Sequence, residues 1–475
     1  MIQAGERRAK VGVFTIGLDT YWEQFAGLKD RLEGYRQSIE GRIGQWATVV
    51  SPGLVDTAPK AYAAGRRFAE ERVDLIFCHA ATYATSSQVL PAVQEAGVPV
   101  VVLNLQPSSS LDYENADTGE WLANCSACCV PEISNAFERS DVPFNVVSGT
   151  LHADEGAWFT IEEWCRAAGA VRTLRGSRFG FLGHTYPGML DMYSDFTMHH
   201  AQLGLHVEVL EMDDLADHVS GAADEAVAAK AGEIREIFEV GDNVDEENLG
   251  WAARVAVGLD GLVEDFGLDA LAYYYRGTNG SPHERIAAGM IVGNSMLTAR
   301  GIPASGEGDL KNAVAMKIMD TLGAGGSFTE FYAMDFDKGF VLMGHDGPGH
   351  IAISDRKPVL RGLGVYHGKA GRGVSVEFGV RTGPITIFGV TQTRDGRLKM
   401  LAAGGESLPG PTLEIGNTNS RLRFALPPAA FMNAWCEQGP THHCALGVGH
   451  YAGTLRKVAR LLGLEFVAVG EAGRG

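Results

Sequence analysis

Two glutamates and a handful of histidines stand in this sequence where strands and helices begin or end, and their side chains have the chemistry to hold a divalent cation. Glu307 lies in "GEGDLKNAVAMKIMDTL" (306–322), where glycines lead into a helix whose Leu310, Val314, Ile318 and Leu322 form one apolar stripe. The amide end of a helix favours an anion, so capping alone would account for Glu307. Glu330 lies in "GGSFTEFY" (325–332) among Phe328, Phe331 and Tyr332. A carboxylate among aromatics is costly unless it is paired or bound to metal. His345 and His350 share "VLMGHDGPGHIAIS" (341–354), and His442 and His443 share "THHCALGVGH" (441–450). A lone histidine is usually a satisfied surface or core residue. Two glutamates with one of these histidines make a better candidate for a cation site.

The elements that must position these residues alternate. "KVGVFTIG" (10–17), "VDLIFCHA" (73–80) and "VPVVVLNL" (98–105) read as buried strands, separated by helical patterns such as "YAAGRRFAEER" and "SSQVLPAVQEAG". That alternation predicts a parallel sheet covered by helices. A second unit of the same kind begins at "SRFGFLGHTYPGMLDM" (177–192) and continues through "LHVEVLEM" and "LDALAYYY". Ligands of such sheets bind at the carboxyl ends of the strands, which points to Asp19 with Tyr21 and Trp22, then Tyr83, His184 and Arg276. Beyond about residue 330 the pattern changes to short strands, "FVLMG", "HIAIS", "VSVEFGV", "PITIFGV" and "RLKMLAAG", set off by Gly, Asp-Gly and Pro turns. A closing helix, "AGTLRKVARLLG", carries Leu455, Val458, Leu461 and Leu462. The expected fold class is α/β: two Rossmann-like parallel-sheet domains, 1–174 and 175–326, followed by a C-terminal β-barrel-like domain, 327–475.

Composition narrows the function. At 475 residues the chain is too long for a single core, and 45% hydrophobic residues with 61 glycines describe a globular protein rich in turns. A net charge of −18 argues against a nucleic-acid partner and leaves a small molecule as the expected one. No apolar run approaches the roughly 20 residues that span a bilayer, and "MIQAGERRAK" lacks the apolar core of a signal peptide, so a cytoplasmic location without membrane contact is expected. Of the seven cysteines, "CSACC" (125–129) clusters three without a fourth ligand at zinc-site spacing, and reduced thiols are expected. "GLGVYHGKAGRGV" (362–374) has scattered glycines but opens no helix, so the dinucleotide fingerprint fails.

The series "GEGDLKNA", "GGSFTEFYAMDFDKG", "LMGH", "RTGP" (381–384) and "THH" resembles, in order and spacing, the L-arabinose isomerase family, with a wider likeness to the L-fucose isomerases. The "SRFGF" and "VDLIFCHA" strands extend the likeness toward the amino terminus. The resemblance implies an aldose–ketose isomerase using Mn2+, with Co2+ or Mg2+ as alternatives. It also implies a homo-oligomer, hexameric or tetrameric, with active sites at subunit interfaces. The implied metal ligands are Glu307, Glu330, His345 and His443, with His350 open as an alternative to His345. Glu307 and Glu330 would also serve as catalytic acid and base, and the sugar would be met by Asp19, Tyr21, Tyr83, Met189, Arg276 and His442. Departures from the family fall at the sugar end. Asp19 stands for a Gln, Tyr83 for a Phe and Arg276 for an aromatic, and a histidine is lost near Ala127. Arg276 can read a carboxylate or phosphate, or pair with an acid such as Asp19 of a neighbouring subunit. The alternative function is therefore an epimerase or decarboxylase of a sugar acid on the same metal scaffold.

Overall fold

Val11, Val13, Phe14 and Ile16 are sealed from solvent in the first strand, β1 (Lys10–Ile16), as the apolar run predicts. The computed structural model describes residues 8–276, 280–363 and 373–470, so most of the glycine-rich stretch 362–374 and the first seven residues lie outside it. The chain divides into two compact units, Arg7–Arg172 and one built from Thr173–Gly475.

In the first unit β1 is joined by β2 (Thr48–Val55), β3 (Leu75–Ala80), β4 (Val100–Gln106) and β5 (Phe144–Thr150). They form a five-stranded sheet in the order β2-β1-β3-β4-β5, parallel throughout. Every residue of β3 is buried, which requires cover on both faces and explains why its sequence shows no alternation.

The second unit opens with β6 (Arg178–Gly183), β7 (His206–Leu210), β8 (Glu239–Val240), β9 (Ala270–Tyr274) and β10 (Ala304–Ser305). Four of these make a second parallel sheet in the order β10-β9-β6-β7. The remaining strands are β11 (Gly325–Asp335), β12 (Phe340–His345), β13 (Val359–Leu363), β14 (Gly373–Glu377), β15 (Gly383–Gln392), β16 (Leu398–Leu408), β17 (Thr418–Phe424), β18 (Cys444–Val448) and β19 (Glu465–Ala468). Pairing runs β15-β18-β11-β12-β17-β16 and returns from β16 to β15, closing an antiparallel barrel, with β19 added in parallel on β16. Closure removes the exposed edges that an open sheet would present. A small sheet, β14-β13-β8, ties the barrel segment to the helical layer.

The helix Leu310–Thr321 runs from the second sheet into the barrel, and all of its residues are buried. The single apolar stripe expected from its sequence is therefore only one side of a helix enclosed all round. Its polar residues are satisfied inside: Lys317 Nζ donates to the Gly301 carbonyl at 2.8 Å and Lys311 Nζ to that of Tyr193 at 3.2 Å. The segment "HIAIS" also departs from expectation. It is not a strand but a 3-10 turn at Ile351–Ile353, because the preceding glycine-proline run bends the chain and the His350 amide goes to Ser327 Oγ at 3.1 Å. No described helix is long and apolar enough to cross a membrane.

Within the first sheet His79 is buried, with Nδ1 3.2 Å from Thr15 Oγ1, and burial lowers its pKa from the ordinary 6.5 to about 4. The neutral ring is thus favoured in the folded state. The stability this contributes is full above pH 6.5 and is lost as pH falls toward 4. Between pH 7 and pH 5 the loss should be about 2 kcal/mol. Urea midpoints at the two pH values should show that loss in the wild type and a smaller one in His79→Gln.

Candidate active site

The site grows from the turn between β10 and the buried helix. Glu307 adopts φ +60° and Gly308 φ +71°. A side chain at Gly308 would place its Cβ 2.6 Å from the His184 carbonyl oxygen, so the turn is wedged against the loop after β6. The Tyr186 amide donates to the Glu307 carbonyl at 2.9 Å and pins it there. A left-handed non-glycine backbone is costly, and its surroundings hold it in place.

Capping of the helix falls not to Glu307 but to Asp309. Its Oδ1 accepts from the Asn312 amide at 3.0 Å, and its Oδ2 lies 3.0 Å from His443 Nδ1. Burial opposes the charge on Asp309, but His443 and Lys311 more than offset it and hold the carboxyl below the usual carboxylate range. An ionised Asp309 keeps the hydrogen on Nδ1 and leaves the His443 Nε2 lone pair facing Glu307 Oε2, 3.5 Å away.

The barrel supplies the other side chains from adjacent strands. Glu330 on β11 pairs in register with Gly344 on β12, next to His345, while Thr329 pairs with Cys444 on β18, next to His443. The buried Phe328 ring rests on both imidazoles, with centroids 4.0 Å from His345 and 4.5 Å from His443. His345 Nδ1 receives the Gly347 amide at 2.8 Å and has Asp346 Oδ1 at 3.2 Å. An Nδ1 that accepts the Gly347 amide carries no hydrogen to give Asp346, so His345 does not repeat the Asp309–His443 arrangement.

Ligand atoms of Glu307, His345 and His443 all lie within 4.8 Å of one another, and so do those of Glu330, His442 and His443. His443 belongs to both groups and joins them. Glu330 Oε2 is hydrogen-bonded to His442 Nε2, a contact that raises the His442 pKa. The His442 amide donates to Asp191 Oδ2 at 2.7 Å. Mixed carboxylate and imidazole donors, with the His443 imidazole backed by Asp309, fit a divalent ion of the Mn2+ type. His350 is in neither group. It is fully buried with Nε2 3.4 Å from Asp320 Oδ1.

Of the residues expected to meet the sugar, Met189, Arg276 and His442 belong to the second unit. Met189 lies in the loop after β6, and Arg276 is exposed just past β9. Asp19, Tyr21 and Tyr83 belong to the first unit. Burial raises the Tyr21 pKa, helped by Tyr83, Cys125 and Cys128, whose sulfurs are 2.6 Å apart. Sequence reasoning missed Asp309, Asp346 and Asp191, and it set Phe328 beside Glu330 without linking it to the histidines. Only Asp309 carried a signal, as a second acid two residues beyond Glu307 in a turn that could need a single cap.

No family model matches the chain. It is 24% identical over 417 residues to the L-arabinose isomerase of Tolumonas auensis, covering 82% of this chain and 79% of that protein. It is 25% identical over 395 residues to the L-arabinose isomerase of an Arthrobacter species, covering 78% and 74%. The sulfoquinovose isomerase of Alkalicoccus urumqiensis matches at 22% over 448 residues, 93% of this chain and 96% of that one. These relatives are sugar isomerases. The chain is a relative of the L-arabinose isomerase family.

Asp309→Asn keeps an oxygen for the Asn312 amide but removes the charge behind His443. It should leave the far-ultraviolet spectrum unchanged and weaken Mn2+ binding by roughly 10- to 100-fold, read by calorimetric titration.

Proposed function

We propose that the protein is a metal-dependent aldose–ketose isomerase that shifts a proton between C1 and C2 of an open-chain sugar through an enediolate. The observation that supports this reading is the joining of two carboxylates and three imidazoles through His443 at one end of the barrel. Mn2+ is the proposed ion, with Co2+ or Mg2+ as alternatives, held by Glu307, Glu330, His345 and His443. When bound, it would supply positive charge to polarise the sugar carbonyl.

The chain's own residues divide the remaining work. One carboxylate takes the proton from the carbon beside the carbonyl, the C–H electron pair becomes the enediolate double bond, and the other carboxyl group returns a proton to the neighbouring carbon. Glu330 is the more accessible of the two, with 21% of its side chain exposed against 9% for Glu307. His442 on the Glu330 oxygen can pass hydrogen between that carboxyl group and a sugar hydroxyl. Asp309 keeps the His443 imidazole in one tautomer. The burial of Glu307, His345 and His443 limits water around them, which strengthens their interactions. By family resemblance the working form is a cytoplasmic homo-oligomer, hexameric or tetrameric, to which Asp19, Tyr21 and Tyr83 contribute sugar contacts.

With Mn2+ and a panel of aldoses in heavy water, the protein should form ketose and place one solvent deuteron on the sugar. Glu330→Gln should fold like the wild type and lose at least about 100-fold in turnover, the low end of what a general base contributes. A variant of near-native rate would remove Glu330 from the mechanism. Deuterium entering a sugar acid with no aldose turned over would replace isomerisation by epimerisation or decarboxylation.

A further inference from the structure

We infer that the sugar carries an anionic group, such as a carboxylate, phosphate or sulfonate, at the end remote from its carbonyl, and that Arg276 reads it. This rests on the isomerase reading above and adds the substrate class to it.

The placement of Arg276 follows from the second sheet. Leu271 and Ala272 of β9 pair with Ala304 and Ser305 of β10. Beyond Ser305 the chain turns at Gly306–Gly308, a turn that packs against β9, and Arg276 lies two residues past Tyr274, the last residue of β9. On the other side Tyr274 pairs with Gly183, the last residue of β6. The rings of His184 and Tyr186, from the loop after β6, lie 5.1 and 5.0 Å from that of Tyr274, forming an aromatic wall next to the Glu307 turn. Arg276 and Glu307 both act on the Tyr274 hydroxyl, in opposite directions, while burial is the largest influence on it.

Charge makes this position notable. In sequence, residues 184–195, 275–281 and 306–311, which come after β6, β9 and β10, include only two cationic side chains, Arg276 and Lys311. Lys311 is 1% exposed and spent on the Tyr193 carbonyl. Arg276 is exposed and forms no hydrogen bond or ion pair with any described residue. The candidate cluster itself is acidic, with Glu307, Glu330, Asp309 and Asp191 in or against it. An anionic substrate entering such a field is repelled unless a cation offsets the acids at the end away from the metal ligands. A neutral sugar offers a guanidinium only uncharged hydroxyl acceptors, whereas an oxyanion takes two parallel charge-assisted N–H donors from one.

The test compares kcat/KM of the Mn2+-loaded protein for glucose, glucuronate, glucose 6-phosphate and 6-deoxy-6-sulfoglucose. At least one anionic sugar should be preferred over glucose by about 10- to 100-fold, and the three arms identify which anion it is. Arg276→Ala should bring the anionic-to-neutral ratio down by a similar factor, chiefly through KM, and Arg276→Lys should restore part of it. A wild-type ratio near one, or a ratio that Arg276→Ala leaves unchanged, overturns the inference, including the case in which the variant merely alters subunit assembly. If neutral aldoses turn over and the anionic ones do not, the isomerase reading stands and this inference alone falls. If no sugar in the panel exchanges its carbonyl-adjacent proton with solvent, both fall.

Discussion

His443 is held between two carboxylates, Asp309 on Nδ1 and Glu307 across from Nε2, and the rest of the site depends on that chain of contacts. The imidazole is fully buried, so its tautomer and direction are set by protein and not by water. Asp309 is also the N-cap of the helix Leu310–Thr321. One carboxylate therefore fixes the start of a buried helix and the aim of a candidate ligand. The position of that helix and the geometry of the cluster cannot vary independently.

That coupling explains why the parallel sheet and the barrel belong to one compact unit. The helix packs on β9 on one side and on β11, β15 and β18 on another, so the turn bearing Glu307 is delivered to the end of the barrel where His345 and His443 stand. Phe328 completes the arrangement as a rigid plate against both imidazoles. Small residues are needed where parts meet closely. A side chain at Gly306 or Gly347 would run into the Phe328 ring, and one at Gly308 into the loop after β6. Acidic side chains crowd the carbonyl end of the proposed substrate, and the aromatic wall of His184, Tyr186 and Tyr274 leads outward from it.

Much of this was legible from residue types. Parallel sheets followed from strand and helix alternation, and the barrel from the change to short strands after residue 330. The residues that converge, Glu307, Glu330, His345, His442 and His443, stood out because a carboxylate among aromatics or a histidine at a strand end needs a reason. Other features were hidden. Asp309 looks like any helix cap, since the second use of its carboxylate appears only when residue 443 is brought beside it. Asp346 and Asp191 look like loop acids. The helix at 310–321 reads as amphipathic because sequence shows the apolar face and cannot show that carbonyls of distant segments will satisfy its lysines. The extended reading of 350–354 failed because the hydrogen-bond partner of the His350 amide is a serine side chain from another strand, and periodicity carries no information about that.

The left-handed backbone at Glu307 carries one more implication. Glycine would sit at φ +60° without strain, whereas glutamate there costs about 1–2 kcal/mol and places a carboxyl group in the interior. The residue best suited to the loop's conformation is thus not the residue the proposed chemistry demands. A chain under selection for thermal robustness alone would drift away from glutamate at this position, so under the proposed function durability is given up here for reactivity.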